Sequence, residues 1–191
     1  MEPRHVFTYE DEVSNRLFDA RTVIISGEIN QRLAERVTAQ LTAMAAASSD
    51  PITVFINSQG GHVESGDTIH DMIRYVGVRV RIIGTGWVAS AGALIYISVP
   101  VEDRYSLPNT RYLLHQPLGG MEGRAVDIDI EAQQILKMRR RLNQMFAEAT
   151  GQPLEKIEHD TNRNFWLSAE EAVAYGLVGH IVSNVREVPR A

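Results

Sequence analysis

Short apolar runs alternate with amphipathic stretches along most of the chain. Thr22–Gly27 (TVIISG), Ile52–Asn57 (ITVFIN), Arg79–Gly84 (RVRIIG) and Arg111–His115 (RYLLH) are too short for helices and show little in–out alternation. That pattern predicts strands buried on both faces. Between the first two, Asn30 is placed to cap a helix whose apolar positions Leu33, Val37, Leu41 and Met44 follow helical spacing, and Ser48–Pro51 ends it. Between the second and third, Ile69, Met72, Ile73 and Val76 mark one face of another helix. Strands alternating with helices predict βαβ units, a mainly parallel sheet and the α/β class. Gly86 to Ser90 reads as a tight turn of small residues, followed by the apolar segment Ala91–Ile97.

After His115 the rhythm changes. Pro117 to Gly123 is glycine-rich, and from about Asp127 to Thr150 one long helix is predicted, with Ile128, Ile135, Leu142, Met145, Phe146 and Ala149 as its apolar positions. Gly151 can close it and Pro153 prevents its continuation. Such a helix is longer than the sheet needs for cover. It either projects from the head and offers an apolar stripe to another subunit, or packs within its own domain. Further on, Ser168-Ala-Glu-Glu171 reads as a capping box for a short helix ending near Gly176, and His180–Ser183 as a last strand. With no linker, repeat or low-complexity tract, residues 1–191 read as one domain.

Composition narrows the function classes. Of 191 residues 44% are hydrophobic, enough for a core without metal or disulfide staples. The net charge of −5, with no basic run to contradict it, argues against a nucleic-acid partner. The absence of cysteine excludes disulfides and thiolate nucleophiles or ligands. No apolar stretch is long enough to span a bilayer, and Met1 to Glu12 has no apolar signal core, so a cytoplasmic protein without a membrane partner is expected.

Four places hold candidate chemistry. Ser90, in Gly86-Trp-Val-Ala-Ser90-Ala-Gly92-Ala, stands where a helix begins, as a plain helix cap or as a nucleophile whose developing charge faces a helix N-terminus. The stretch is not the G-x-S-x-G elbow. His115 closes an apolar strand before a glycine-rich loop, as a structural hydrogen-bonding residue or as a general base. Gly60-Gly61 forms a plain tight turn or half of an oxyanion hole, and is too short for a phosphate-binding loop. His62, Glu64, Asp67, His70 and Asp71 are dense enough to raise the question of a metal. Without H-E-x-x-H, the favoured reading is a solvated polar face opposite Ile69, Met72 and Ile73. Lys137-Met-Arg-Arg-Arg141 wraps around its helix, so ion pairing on that helix or between subunits is expected.

Taken in order, the segments Phe55-Ile-Asn-Ser-Gln-Gly-Gly61, Ala89-Ser-Ala-Gly-Ala93, Leu107-Pro-Asn-Thr-Arg111 and His115-Gln-Pro-Leu-Gly-Gly120 resemble the proteolytic subunit of the ATP-dependent Clp protease, the ClpP family. Thr150-Gly, Ile157-Glu-His-Asp-Thr161 and Leu167-Ser-Ala-Glu-Glu-Ala-Val-Ala-Tyr-Gly-Leu177 continue the match, which runs from about Arg16 to Val182. The resemblance implies a crotonase-like fold of repeated ββα units: a head of residues 16–116 and 152–183, a protruding handle of 117–151, and an axial N-terminal segment of 1–15. Two stacked seven-membered rings, with a paralogous ClpP subunit as a possible companion, then enclose a chamber. Ser90 becomes the nucleophile and His115 the base, with the N–H groups of Gly61 and Ala91 as oxyanion donors. An AAA+ unfoldase of the ClpX or ClpA type, docking at Phe55 and Tyr75, delivers unfolded substrates. No cofactor or metal is implied.

The chain also departs from the family's pattern. The triad aspartate's position holds Asn164, which can orient a histidine but supplies no negative charge. Asp160 is a conceivable substitute, but its sequence position argues against it. Gln59 stands for a proline, Asn162 for an acidic residue at the ring contact beside Arg163, and Thr53 for an aromatic in the docking groove. The segment before Arg16 is shorter than usual and shows no propeptide. The expected activity is therefore a serine endopeptidase. The alternatives are a low-activity structural or regulatory ring subunit and, more remotely, a crotonase-fold acyl-CoA enzyme.

Overall fold

The computed structural model describes residues 9–117, 119–120 and 122–189. Residues 1–8 of the expected axial segment, and Leu118 of the His115–Gly120 motif, lie outside them. The elements run α1 (Tyr9–Asp19), β1 (Thr22–Ile29), α2 (Gln31–Ala47), β2 (Ile52–Gly61), α3 (Val63–Tyr75), β3 (Val80–Ala89), α4 (Ala91–Tyr96), β4 (Arg104–Ser106), β5 (Arg111–Leu114), α5 (Ala125–Thr150), α6 (Leu154–Asp160), β6 (Phe165–Leu167), α7 (Ala169–Ala174) and β7 (His180–Ile181). The strand order is β1-β2-β3-β4-β7, with β5 paired to β3 and β6 to β5. All pairings are parallel except β5–β6.

The sheet forks at β3. Ile82–Gly84 pair with β4, and Trp87–Ala89 pair with β5. The predicted tight turn from Gly86 is therefore mostly strand. Gly86 takes φ 64°, after which the chain resumes pairing on a new neighbour, and only Ser90 turns. Likewise Gly60-Gly61 does not follow β2 but ends it. A register shift between Ser26 and Glu28 lets the ladder continue, so that the glycines face Glu28 and Ile29.

Helices α2, α3 and α4 cover one sheet face. Val23, Ile25, Val54, Ile56 and Ile82 pack there with Leu33, Val37, Leu41, Met44, Ile69 and Leu94. The predicted caps are in place: Asn30 Oδ1 accepts the Leu33 N–H at 2.9 Å, and Ser168 and Glu171 form a capping box. The expectation of burial on both faces holds along Val80–Gly84 of β3, in β4 and in Tyr112–Leu114 of β5, and needs correcting for β1 and β2, whose burial alternates. On the second face only a small cluster of Ile83, Tyr105 and Val182 with Phe55 forms, and Ile24 is 45% exposed. Apolar composition alone does not reveal which face this chain's own helices cover.

Arg104 ties the helical layer together. Its side chain is buried and donates to the carbonyls of Val99, just past α4, Ala149, in the last turn of α5, and Leu177, just past α7. These are negative ends of helix dipoles, which favour a cation. The long α5 has 26 residues and is closed by Gly151 at φ 71°. Its C-terminal part is anchored through Leu142, Asn143, Phe146 and Ala147, while Val126, Ile128, Ile130 and Leu136 are exposed. Arg141, the last residue of the basic run, makes two bonds to the Asp67 carboxylate of α3, at 2.7 and 2.6 Å. The solvated-face reading of α3 fails at His70, which is buried on the wall of a cavity also lined by Arg104 and Met145. Four elements, α1, β4, α6 and β6, were not foreseen, and α1 passes through the expected boundary between residues 15 and 16. No described helix is long and apolar enough to cross a membrane.

Candidate active site

Ser90 is the hinge between β3 and α4. Its backbone lies at φ 56°, ψ −121°, a region that costs a residue with a side chain about 1–3 kcal/mol. A serine serving as a cap would accept a bond from the first helical turn through its hydroxyl, and here no such bond is made. The strained turn is held by its backbone: the Ser90 N–H donates to Leu113 O at 2.9 Å and the Ser90 carbonyl accepts from Leu94 at 3.1 Å. Gly60 packs directly against it, and a Cβ there would come within 2.6 Å of the Ser90 Cβ. A strained serine at a sharp strand-to-helix turn is how α/β-hydrolases expose their nucleophile. The same device appears here on a different local sequence.

Strand registers bring the other candidates alongside. Ala89 faces Leu113 in the parallel β3–β5 ladder, so one more residue sets Ser90 beside the end of β5, next to His115. Leu114 faces Phe165 in the antiparallel β5–β6 ladder, so one more residue sets Asn164 opposite His115. Three neighbouring strand ends thus deliver Ser90, His115 and Asn164. Among the described residues no hydrogen bond joins the three, and Asn164 is exposed. Bonds of this kind are often long in a site without substrate.

The His115 ring has a partner of its own. Nδ1 lies 2.7 Å from the carbonyl oxygen of Gln116. A carbonyl only accepts, so Nδ1 carries the proton and Nε2 is the free base of the neutral ring. Gln116 in turn is fixed twice: its N–H donates to Thr161 O at 2.7 Å and its Nε2 to Asn162 O at 2.9 Å. Thr161 Oγ1 is buried and donates to Asn143 of α5 at 3.0 Å. The sequence reading missed this chain of bonds; its signal was the Gln116-Pro117 step, since a residue before proline is held extended.

Around the serine, two backbone amides stand near. His62 N–H donates to Ile29 O at 2.8 Å, and Gly61 is the residue facing Ile29. In a parallel ladder that placement turns Gly61's own N–H away from β1. Ala91, at the start of α4, lies close enough to Gly60 that a Cβ there would meet its nitrogen at 3.1 Å. Asp160 does not replace Asn164. Its Oδ2 accepts from Lys156 Nζ at 2.6 Å and from Tyr175 OH at 2.7 Å. Burial pushes this carboxyl up, but those two bonds and the Lys156 charge outweigh it and hold it below the ordinary carboxylate range.

The remaining predicted residues lie apart from this turn. Phe55 is half-buried against Ile83, Tyr105 and Val182, and Tyr75 projects at 81% exposure from the end of α3. Within the polar group of residues 62–71, Asp67 pairs with Arg141, His62 Nε2 lies 3.1 Å from Glu64 and His70 Nδ1 2.9 Å from Asp71.

Fold and turn define a class: a serine hydrolase on a forked, largely parallel sheet with a projecting helix. Known proteins narrow it. A family model described as Clp protease matches residues 7–185. The ATP-dependent Clp protease proteolytic subunit 3 of Rhizobium meliloti is 59% identical over 177 residues, covering 93% of this chain and 91% of the relative. The proteolytic subunit 2 of Pseudomonas aeruginosa is 55% identical over 168 residues, covering 88% and 84%. Among solved structures, ClpP1 from Listeria monocytogenes superposes with a TM-score of 0.85 at 54% identity, covering 93% of this chain and 99% of that one. An asparagine-to-aspartate mutant of the same protein gives 0.87. The chain belongs to the Clp protease family and has the ClpP fold.

Proposed function

We propose that the chain is a serine endopeptidase subunit of a self-compartmentalising protease, cutting unfolded polypeptides into short peptides. The observation that carries this is Ser90: a strained residue whose hydroxyl serves no cap, beside a histidine whose Nε2 is the free nitrogen. In the reaction His115 Nε2 takes the proton as Ser90 Oγ bonds to the peptide carbonyl carbon. The carbonyl oxygen becomes an anion facing the N–H groups of Gly61 and Ala91. The tetrahedral intermediate collapses, His115 gives its proton to the leaving amine, and water then hydrolyses the acyl-enzyme by the same route. Asn164, opposite His115, brings no charge to the ring.

Relatives named as proteolytic subunits of ATP-dependent proteases support this reading over a purely structural ring subunit. They also support a cytoplasmic assembly fed by an AAA+ unfoldase of the ClpX or ClpA type. The exposed ring of Tyr75 and the half-exposed Phe55 are the proposed docking points. The half-anchored α5 supports the division into head and handle, with the handle joining two seven-membered rings, of this chain alone or with a paralogous subunit.

The test is a fluorophosphonate probe with hydrolysis of a short peptide. Wild type should be labelled at Ser90, Ser90→Ala unlabelled and inactive, and Asn164→Asp at least about tenfold faster than wild type, by placing a negative charge beside the imidazolium. Wild-type assemblies that neither label nor hydrolyse would refute the peptidase.

A further inference from the structure

His115 Nδ1 already has an acceptor, and it is a main-chain carbonyl. A serine–histidine pair needs a third group to keep Nδ1 protonated, so that Nε2 can receive the serine proton. With an aspartate this follows from charge, and either carboxylate oxygen serves. An asparagine has one acceptor oxygen, and its NH₂ presented to the ring would select the opposite tautomer. Asn164 is exposed and makes no hydrogen bond with His115. Instead Nδ1 lies 2.7 Å from Gln116 O, an oxygen that can only accept.

That carbonyl is unusually well placed to stay put. Pro117 restricts the Gln116 backbone to extended conformations. The Gln116 N–H and Nε2 are bonded to successive carbonyls, Thr161 O at 2.7 Å and Asn162 O at 2.9 Å. Thr161 is locked below by Asn143, which is buried in the anchored part of α5. A backbone acceptor, unlike an amide side chain, cannot be flipped to present a donor.

Resting on the assignment of Ser90 and His115 as nucleophile and base, we propose that Gln116 is the positioning residue of this site. Its carbonyl, clamped to the 161–162 segment, holds His115 in the productive tautomer and stays on Nδ1–H when the ring becomes cationic. Asn164 then modulates the site without determining the tautomer. No atom is gained or lost in this role: the Ser90 proton moves to Nε2 and on to the leaving amine, while the Nδ1 proton remains where it is.

The experiment uses the full chain with ¹⁵N-labelled histidine, reading the His115 ring nitrogens together with short-peptide kinetics. In wild type and in Asn164→Ala, the ring should show a protonated Nδ1 at neutral pH, with kcat in Asn164→Ala reduced by less than about tenfold. Gln116→Met, close in size but without the donor to Asn162, should lower kcat more than tenfold at little change in KM and mix the two tautomers. Pro117→Gly, which frees the carbonyl without touching any side chain named above, should act in the same direction. Circular dichroism and sedimentation like wild type separate these effects from misfolding. Loss of the Nδ1–H tautomer in Asn164→Ala, or unchanged ring shifts and kcat in both Gln116→Met and Pro117→Gly, would overturn the proposal. Ser90 unlabelled in wild type refutes instead the underlying peptidase assignment, so the two failures are distinguishable.

Discussion

A buried histidine makes stability depend on pH. Burial pushes the His70 pKa below its ordinary value, with the Asp71 hydrogen bond opposing. Asp71, Asp67 and Arg74 face the ring from its own helix, and Arg104 and Glu148 from the neighbouring walls. The unfolded chain therefore binds a proton that the folded one refuses, so stability falls as pH drops below about 6.5, at most about 1.4 kcal/mol per pH unit. Urea midpoints at pH 7.5 and 5.5 should converge in His70→Gln relative to wild type, and an identical drop in both would count against it. The sequence raised His70 only as one of a polar group on α3. Helical spacing places a side chain on a face but does not say what covers that face. Ser90 and His115 were raised as candidates by their places at strand ends, but the local pattern left a plain cap and a structural histidine open, and the ordered match to a known family is what singled them out. The strain at Ser90 and the Gln116 carbonyl were not legible, since neither backbone angles nor main-chain acceptors are written in residue types.

At the scale of elements, Arg104 shows how a charge is held inside without a carboxylate. Burial pushes its guanidinium down to about 10, so its charge is kept at a cost. The carbonyls of Val99, Ala149 and Leu177 offset that cost by satisfying its donors. Arg104→Met recovers the desolvation of a charge but leaves buried carbonyls unpaired at about 1–3 kcal/mol each. A net loss of roughly 2–4 kcal/mol is expected by chemical denaturation, with α5 loosened at its base. A midpoint within error of wild type would show that water replaces the lost donors. Most elements were readable from periodicity because α2, α3 and α5 each bury a stripe. The ends of β2 and β3 were not, since pairing continued through glycines that read locally as turns. A fork in one strand is a property of two neighbours, and no stretch of ten residues encodes it.

Among the described residues two apolar surfaces stay uncovered: the outer sheet face around Ile24 and Phe55, and the free part of α5. On α5 the apolar side chains fall on more than one side. Ile128, Ile135 and Leu142 recur every seven residues along one line that runs down into the core. Val126 and Ile130 lie four apart on another side, 70% and 51% exposed. Exposed apolar groups grouped on a projecting helix mark an association surface. The double variant Val126→Asp/Ile130→Asp leaves untouched the Leu142–Ala147 anchor and the strands that carry Ser90. It should therefore remain folded while the particle falls to half its mass or less in sedimentation, as two rings part. Retained full-size particles with normal Ser90 labelling would place the joining contact elsewhere, on the Ile128–Ile135 line. Loss of labelling on dissociation would show that the strand ends at Ser90, His115 and Asn164 depend on ring pairing for their alignment. Thr161 gives a physical route for that dependence, since it joins α5 through Asn143 to the Gln116 clamp.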